Sequence, residues 1–187
     1  MKQLTGTMQP WNEDDWEAFS SIWEPVSAKR NEQLTRPGEK ERYLYFVAEG
    51  VQRVYYSDER GREATIVFTY APSFGGVLDA FLLQQPSRYF YETLTPSEFI
   101  RALHISVQRL MTERPGIQTL VLKGIAASLS GVLERLVSLQ IRSSEEKFRE
   151  LLQRSPHILQ LVPHKHLASY LGMDPTNFSK LMNKVRI

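Results

Sequence analysis

HLASYLGMDPTNFSKLM, residues 166–182, reads as helix, turn, helix. Leu167, Ala168 and Leu171 form an apolar face with a small residue where a second helix must approach, and Gly172 suits the left-handed conformation that ends a helix. Asp174 is a good N-cap, and Pro175 stands at the first helical position, where its missing backbone donor costs nothing. Phe178, Leu181 and Met182 then face inward, leaving Thr176, Asn177, Ser179, Lys180, Asn183 and Lys184 outside. Such donors and cations reach phosphates and base edges when a helix lies in a major groove. An ordinary helical hairpin with a solvated polar face is the plainer alternative.

Upstream, Ile117 to Ile141 contains no Pro and only Gly124 and Gly131, so one long helix is expected from Pro115 to Ile141. Leu122, Ile125, Leu129, Val132, Leu136 and Leu139 recur at alternating steps of three and four, the seam of a two-stranded coiled coil. A second stripe, Ile117, Val121, Leu133, Val137 and Ile141, lies beside it. A helix apolar over two faces needs two partners, and the expectation is its own sheet on one side and the same helix of a second subunit on the other. Ser143 and Ser144, followed by Glu145 and Glu146, open a further short helix.

Between Pro25 and about Ile105 the texture is different. Short runs rich in Val, Tyr, Phe and Thr (43–48, 51–57, 63–70, 89–94 and 99–105) alternate with turn residues, the clearest being the hairpin at Asp58 to Gly61. Several strands without helical crossovers point to a sandwich or jelly roll. Asn12 to Trp23 reads as an acidic helix carrying Trp16, Phe19 and Trp23 on one side. The expected fold is α+β: a jelly-roll sensor domain over 1–114, a dimerisation helix over 115–141 and a helix-turn-helix domain over 142–187.

Composition agrees with a globular chain: of 187 residues, 42% are hydrophobic and 24% charged. The absence of Cys excludes disulfides, Cys-ligated metal and thiol nucleophiles. No secretory leader or membrane-spanning run is apparent, and a cytoplasmic protein is expected. Net charge is only +2, but beyond Leu151 the cations Arg154, Lys165, Lys180, Lys184 and Arg186 face Asp174 alone, which suits a polyanion. His164 and His166 lack a third ligand at metal spacing, so no metal site is expected. With neither a phosphate-cradling loop nor a nucleophile elbow, no enzyme is expected either.

The chain resembles the Crp/Fnr (cyclic-AMP receptor-like) transcriptional regulators, in particular their short Bacteroidetes-type members. The resemblance rests on YLYFVAEG at 43–50, VQRVYY at 51–56, the 58–61 hairpin, PSRYFYETL at 86–94, LASYLG at 167–172 and FSKL at 178–181. It implies a jelly roll of the cyclic-nucleotide-binding type, a homodimer joined through the long helix, and double-stranded DNA as partner. It also implies base reading at Pro175, Thr176 and Lys180, with Asn177 and Ser179 nearer the backbone; Lys184 and Arg186, at the basic end of the chain, are expected to hold phosphates. Cyclic-nucleotide binders of this family carry a Phe-Gly-Glu loop whose acid takes the ribose hydroxyl, and a later Arg that pairs with the cyclic phosphate. Here the effector-pocket candidates are Gly75, Gly76, Asp79, Arg88 and Tyr89, and Gly76 stands where the acid belongs. Cyclic AMP and GMP are therefore not expected as cofactors, and the pocket is left for an unidentified small-molecule effector or none. Arg88 is expected to be a structural ion-pair residue with Glu92. The rival from another class is a ligand- or protein-binding jelly-roll module with a vestigial helix-turn-helix.

Overall fold

A computed structural model describes residues 1–184, so the expected phosphate contact at Arg186 lies outside the described residues. In chain order the elements are α1 (Lys2–Met8), α2 (Glu13–Ser21), β1 (Trp23–Ala28), β2 (Gln33–Thr35), β3 (Tyr43–Glu49), β4 (Val51–Ser57), β5 (Glu63–Tyr70), β6 (Ser73–Gly75), α3 (Leu78–Leu83), β7 (Phe90–Thr93), β8 (Ser97–Leu103), α4 (His104–Glu113), α5 (Pro115–Ile141), α6 (Ser144–Arg154), α7 (Ile158–Leu161), α8 (His164–Tyr170) and α9 (Pro175–Lys184). Among them, none is long and apolar enough to cross a membrane.

The strands form two antiparallel four-stranded sheets, ordered β1-β8-β3-β6 and β2-β7-β4-β5. Period-two alternation sends Tyr45 and Val47 of β3, Val54 of β4, Tyr91 of β7 and Phe99 of β8 into the space between them, where they pack with Val77 and Ala80. The 58–61 connection makes the expected hairpin, with Asp58 accepting from the backbone N–H groups of Arg60 and Arg62.

Trp23 corrects the reading of the first acidic helix. Asn12 caps α2 by accepting the Asp15 N–H, but the helix ends at Ser21 and Trp23 opens β1. Pro25 disfavours a helix through the residue before it and is tolerated on β1 because that strand is at a sheet edge. Trp23 still meets Phe19, with ring centroids 5.5 Å apart. Likewise the last predicted strand stops at Leu103, and Ile105 lies in α4, whose Val107 and Leu110 are buried.

α5 has the expected bounds but not the expected packing. Ile117 and Leu120 are buried near its start, against Phe19 and Leu110. Farther along, Leu122, Leu129, Val132 and Leu136 of the first stripe are exposed, and so are Leu133, Val137 and Ile141 of the second. The second stripe meets the chain's own core only at Ile117 and Val121, so the expectation that it packs on the chain's own sheet fails from Leu133 onward. The inward face is polar instead: Arg135 donates to the carbonyls of Thr65 (3.0 Å) and Tyr170 (2.6 Å), and Ser138 donates to Glu150 (3.0 Å).

The helical segment shares a core with the second sheet. Phe148 and Leu151 of α6, Ile158, Val162, Leu167, Ala168, Leu171, Phe178 and Leu181 form one buried cluster with Val51, Phe68 and Leu94. A full capping box opens α6, the Ser143 hydroxyl accepting the Glu146 N–H and the Glu146 carboxylate accepting the Ser143 N–H.

Candidate nucleic-acid interface and effector loop

α8 ends as its residues require. Gly172 has φ +63°, and the Met173 N–H donates to the Ala168 carbonyl at 2.9 Å. Asp174 then accepts the Thr176 N–H at 2.8 Å, and these amide bonds hold its carboxyl below the ordinary range. α9 is anchored by Phe178, wholly buried and edge-to-face with Phe148 at 5.5 Å, and by Leu181. This anchoring leaves Pro175, Thr176, Asn177, Ser179, Lys180 and Lys184 exposed. The Ser179 hydroxyl donates to the Pro175 carbonyl at 3.0 Å, and Lys184 Nζ lies 3.4 Å from Glu145 Oε2. An exposed pair of that kind contributes little, so Lys184 is available to a stronger anion.

The loop from β6 into α3 is built differently from a phosphate cradle. Gly76 has φ +114°, a conformation side chains resist, and a Cβ there would come within 3.6 Å of Glu41 Oε2. Glu41, only 2% exposed, accepts from Thr35 Oγ1 (2.5 Å), Val77 N–H (3.2 Å) and Tyr43 N–H (3.4 Å). Burial raises its carboxyl above the ordinary value in spite of these bonds. The acid missing at Gly76 thus has a neighbour from a distant segment, which no local motif marks. Gly75 is buried, with the Tyr91 hydroxyl pressed against it. Tyr89 is half-buried against the inter-sheet core.

Asp79 and Arg88 do not join this loop's interior, since both side chains are exposed. Arg88 does not pair with Glu92, which corrects the expected ion pair. Glu92 Oε1 instead accepts from Arg53 Nε at 2.7 Å, because Arg53, 2% exposed, is a buried cation that must be neutralised. Arg53 Nη1 reaches both Glu63 Oε2 and His166 Nδ1, each at 2.7 Å. Neither Arg53 nor this use of His166 is signalled by spacing along the chain.

Residues 25–114 match the family described as the cyclic nucleotide-binding domain. The chain is 26% identical over 102 residues to the global nitrogen regulator of Nostoc sp., a match over 54% of this chain that spans about half of that relative, 46%. Among solved structures it is similar to FixK2 from Bradyrhizobium japonicum, with TM-score 0.77 and 15% identity over 87% of this chain and 84% of that one. It is also similar to a protein from Eubacterium rectale described as a transcriptional regulator of the Crp/Fnr family, with TM-score 0.73 and 15% identity over 93% of this chain and 83% of that one.

Proposed function

We propose that this chain is a member of the Crp/Fnr family, a cytoplasmic, homodimeric, DNA-binding transcription regulator whose β-domain does not take cyclic AMP. The observation that carries the reading is the exposed polar and cationic surface of α9, mounted rigidly on Phe178 and Leu181. Thr176 and Lys180 read base edges, Pro175 makes apolar contact at the helix start, Asn177 and Ser179 lie nearer the backbone, and Lys184 holds phosphate.

The dimer is supported by α5. Leu122 and Leu129 are each 56% exposed, and Leu136 is 49% exposed, a run of leucines that one chain leaves in water. A second α5 packed along Leu122, Ile125, Leu129, Val132, Leu136 and Leu139 removes it. The two-fold then sets the α9 helices on successive major grooves, about 34 Å apart.

Cyclic AMP is disfavoured by the same residues that shape the loop. Arg88, the residue the resemblance offers to the cyclic phosphate, is turned to the surface, and the Glu41 carboxyl beside Gly76, where an acid would meet the ribose, is already engaged by Thr35 Oγ1 and the Val77 N–H. The β-domain then serves a different small-molecule effector or acts as a scaffold. The test is to recover and sequence what the purified protein holds from sheared source DNA, with and without cyclic AMP. A motif of two half-sites, indifferent to cyclic AMP, is the expected result. Absence of enrichment, together with affinity insensitive to salt, would reject the DNA reading, because phosphate contacts make log affinity fall linearly with log salt.

A further inference from the structure

α8 is tied to the second sheet by a charged cluster that neither base reading nor dimerisation uses. Its centre is Arg53 of β4, whose guanidinium lies over the Tyr55 ring at 3.8 Å. Nε donates to Glu92 Oε1 of β7, and Nη1 donates to Glu63 Oε2 of β5 and to His166 Nδ1 of α8. A guanidinium has donors only, so His166 Nδ1 is the acceptor and the imidazole in this contact is neutral. A second proton, added at Nδ1 to this Nε2–H tautomer, would place two donors, both cationic, face to face at 2.7 Å.

We propose that the Arg53–His166 contact is a proton-sensitive latch, which docks the helix-turn-helix on the β4–β5 face and lets it open more often as the medium is acidified.

The charged groups facing His166 are Arg53, Glu63 with Oε2 3.8 Å from Nδ1, Glu92 through Arg53, and Lys165 on α8 itself. Glu63 favours the protonated ring, but it is already engaged by Arg53 and its side chain is 37% exposed. Burial first, then Arg53, holds the imidazole down at about 4. The other hydrogen bonds between α8 and β5 come from groups that do not titrate near neutrality, and the His157 ring before α7 also lies edge-to-face on Tyr70 of β5, centroids 4.8 Å apart. Ser169 Oγ accepts the Thr65 N–H at 2.9 Å and donates to the Glu63 carbonyl, and Arg135 bridges the Thr65 and Tyr170 carbonyls.

The sign follows from linkage. The docked state holds the imidazole below its free value, so docking is fully favoured above that value and loses ground as pH falls toward the docked one. With a free imidazole near 6.5 and a docked one at about 4, the opening equilibrium rises about 20-fold between pH 7 and pH 5. The inference stands whether or not α9 binds DNA, and its test needs none.

The Thr65 amide proton, bonded across the contact to Ser169, reports opening events even when they are rare. Its hydrogen-exchange protection, corrected for intrinsic rate, is expected to drop about 20-fold from pH 7 to pH 5. In His166→Gln, whose amide oxygen accepts from Arg53 without titrating, the drop is expected to vanish. Equal drops in both proteins, or none in the unsubstituted one, would overturn the latch. Imidazole titration by NMR of the unsubstituted chain is a second check if the variant fails to fold: a midpoint well below 6.5 supports the latch, and one near 6.5 rejects it.

Discussion

The hydroxyl of Tyr91 occupies the space in which a side chain on Gly75 would begin, closer to that Cβ position than any real carbon tolerates. Tyr91 is fully buried and its hydroxyl lies 3.3 Å from Thr69 Oγ1, so it cannot swing aside. Gly75→Ala is expected to cost about 1–3 kcal/mol in urea denaturation, the usual range for overpacking. Adding Tyr91→Phe should return part of that loss, and a Gly75→Ala chain as stable as the original would show that the strands move freely here.

Leu129 is exposed within one chain, so an aspartate there leaves the protomer's core untouched. Leu129→Asp is expected to give folded monomers, with helical circular dichroism retained and a halved mass in light scattering. A stable dimer would place the subunit interface elsewhere than the seam of α5.

Lys180 and Lys184 are expected to differ in kind. Lys180→Ala should lose about 1–3 kcal/mol of discrimination between sites in a gel-shift competition, as loss of a base contact does. Lys184→Ala should weaken binding to all sequences alike and reduce the salt slope by about one, as loss of a phosphate contact does. Undiminished preference in the first variant would remove Lys180 from the reading surface.

Glu41 carries a pH dependence of opposite sign to that of His166. A carboxyl held above its ordinary value keeps its proton in the folded chain when the unfolded chain has already lost it. Stability therefore declines as pH rises from the ordinary carboxyl range toward the folded value. Glu41→Gln should flatten that decline between pH 4.5 and pH 7.5 in denaturant titrations, and an unchanged slope would mean that Glu41 titrates as if in water.

Elements whose cause is local were legible in the sequence. The unbroken helical run of α5, the 58–61 hairpin and the Gly172 turn each depend on residues within one or two turns of each other. β2 and β6, three residues each, were not legible, because so short a strand has no periodicity and exists only through its partner. Trp23 was misread because helical spacing on Trp16 and Phe19 records that three aromatics meet, and they do meet, across a helix-to-strand junction. Arg88 and Glu92 were misread as a pair because proximity along a chain is a poor guide to charge partners when a buried arginine competes for the acid.

By itself the sequence determined the order of elements around α9, the residues that helix leaves exposed, and the length of α5. Those follow from caps, breakers and the 3.6-residue period, which act over a few residues. Only the tertiary structure decided that Glu41 closes the loop at Gly76 and that Arg53 holds His166, 113 residues away. It also decided that most of both stripes of α5 faces water beyond its first turns, with Ile125 and Leu139 only half-buried. Such facts depend on which surfaces the chain brings together, and on where a buried charge finds its neutralising partner.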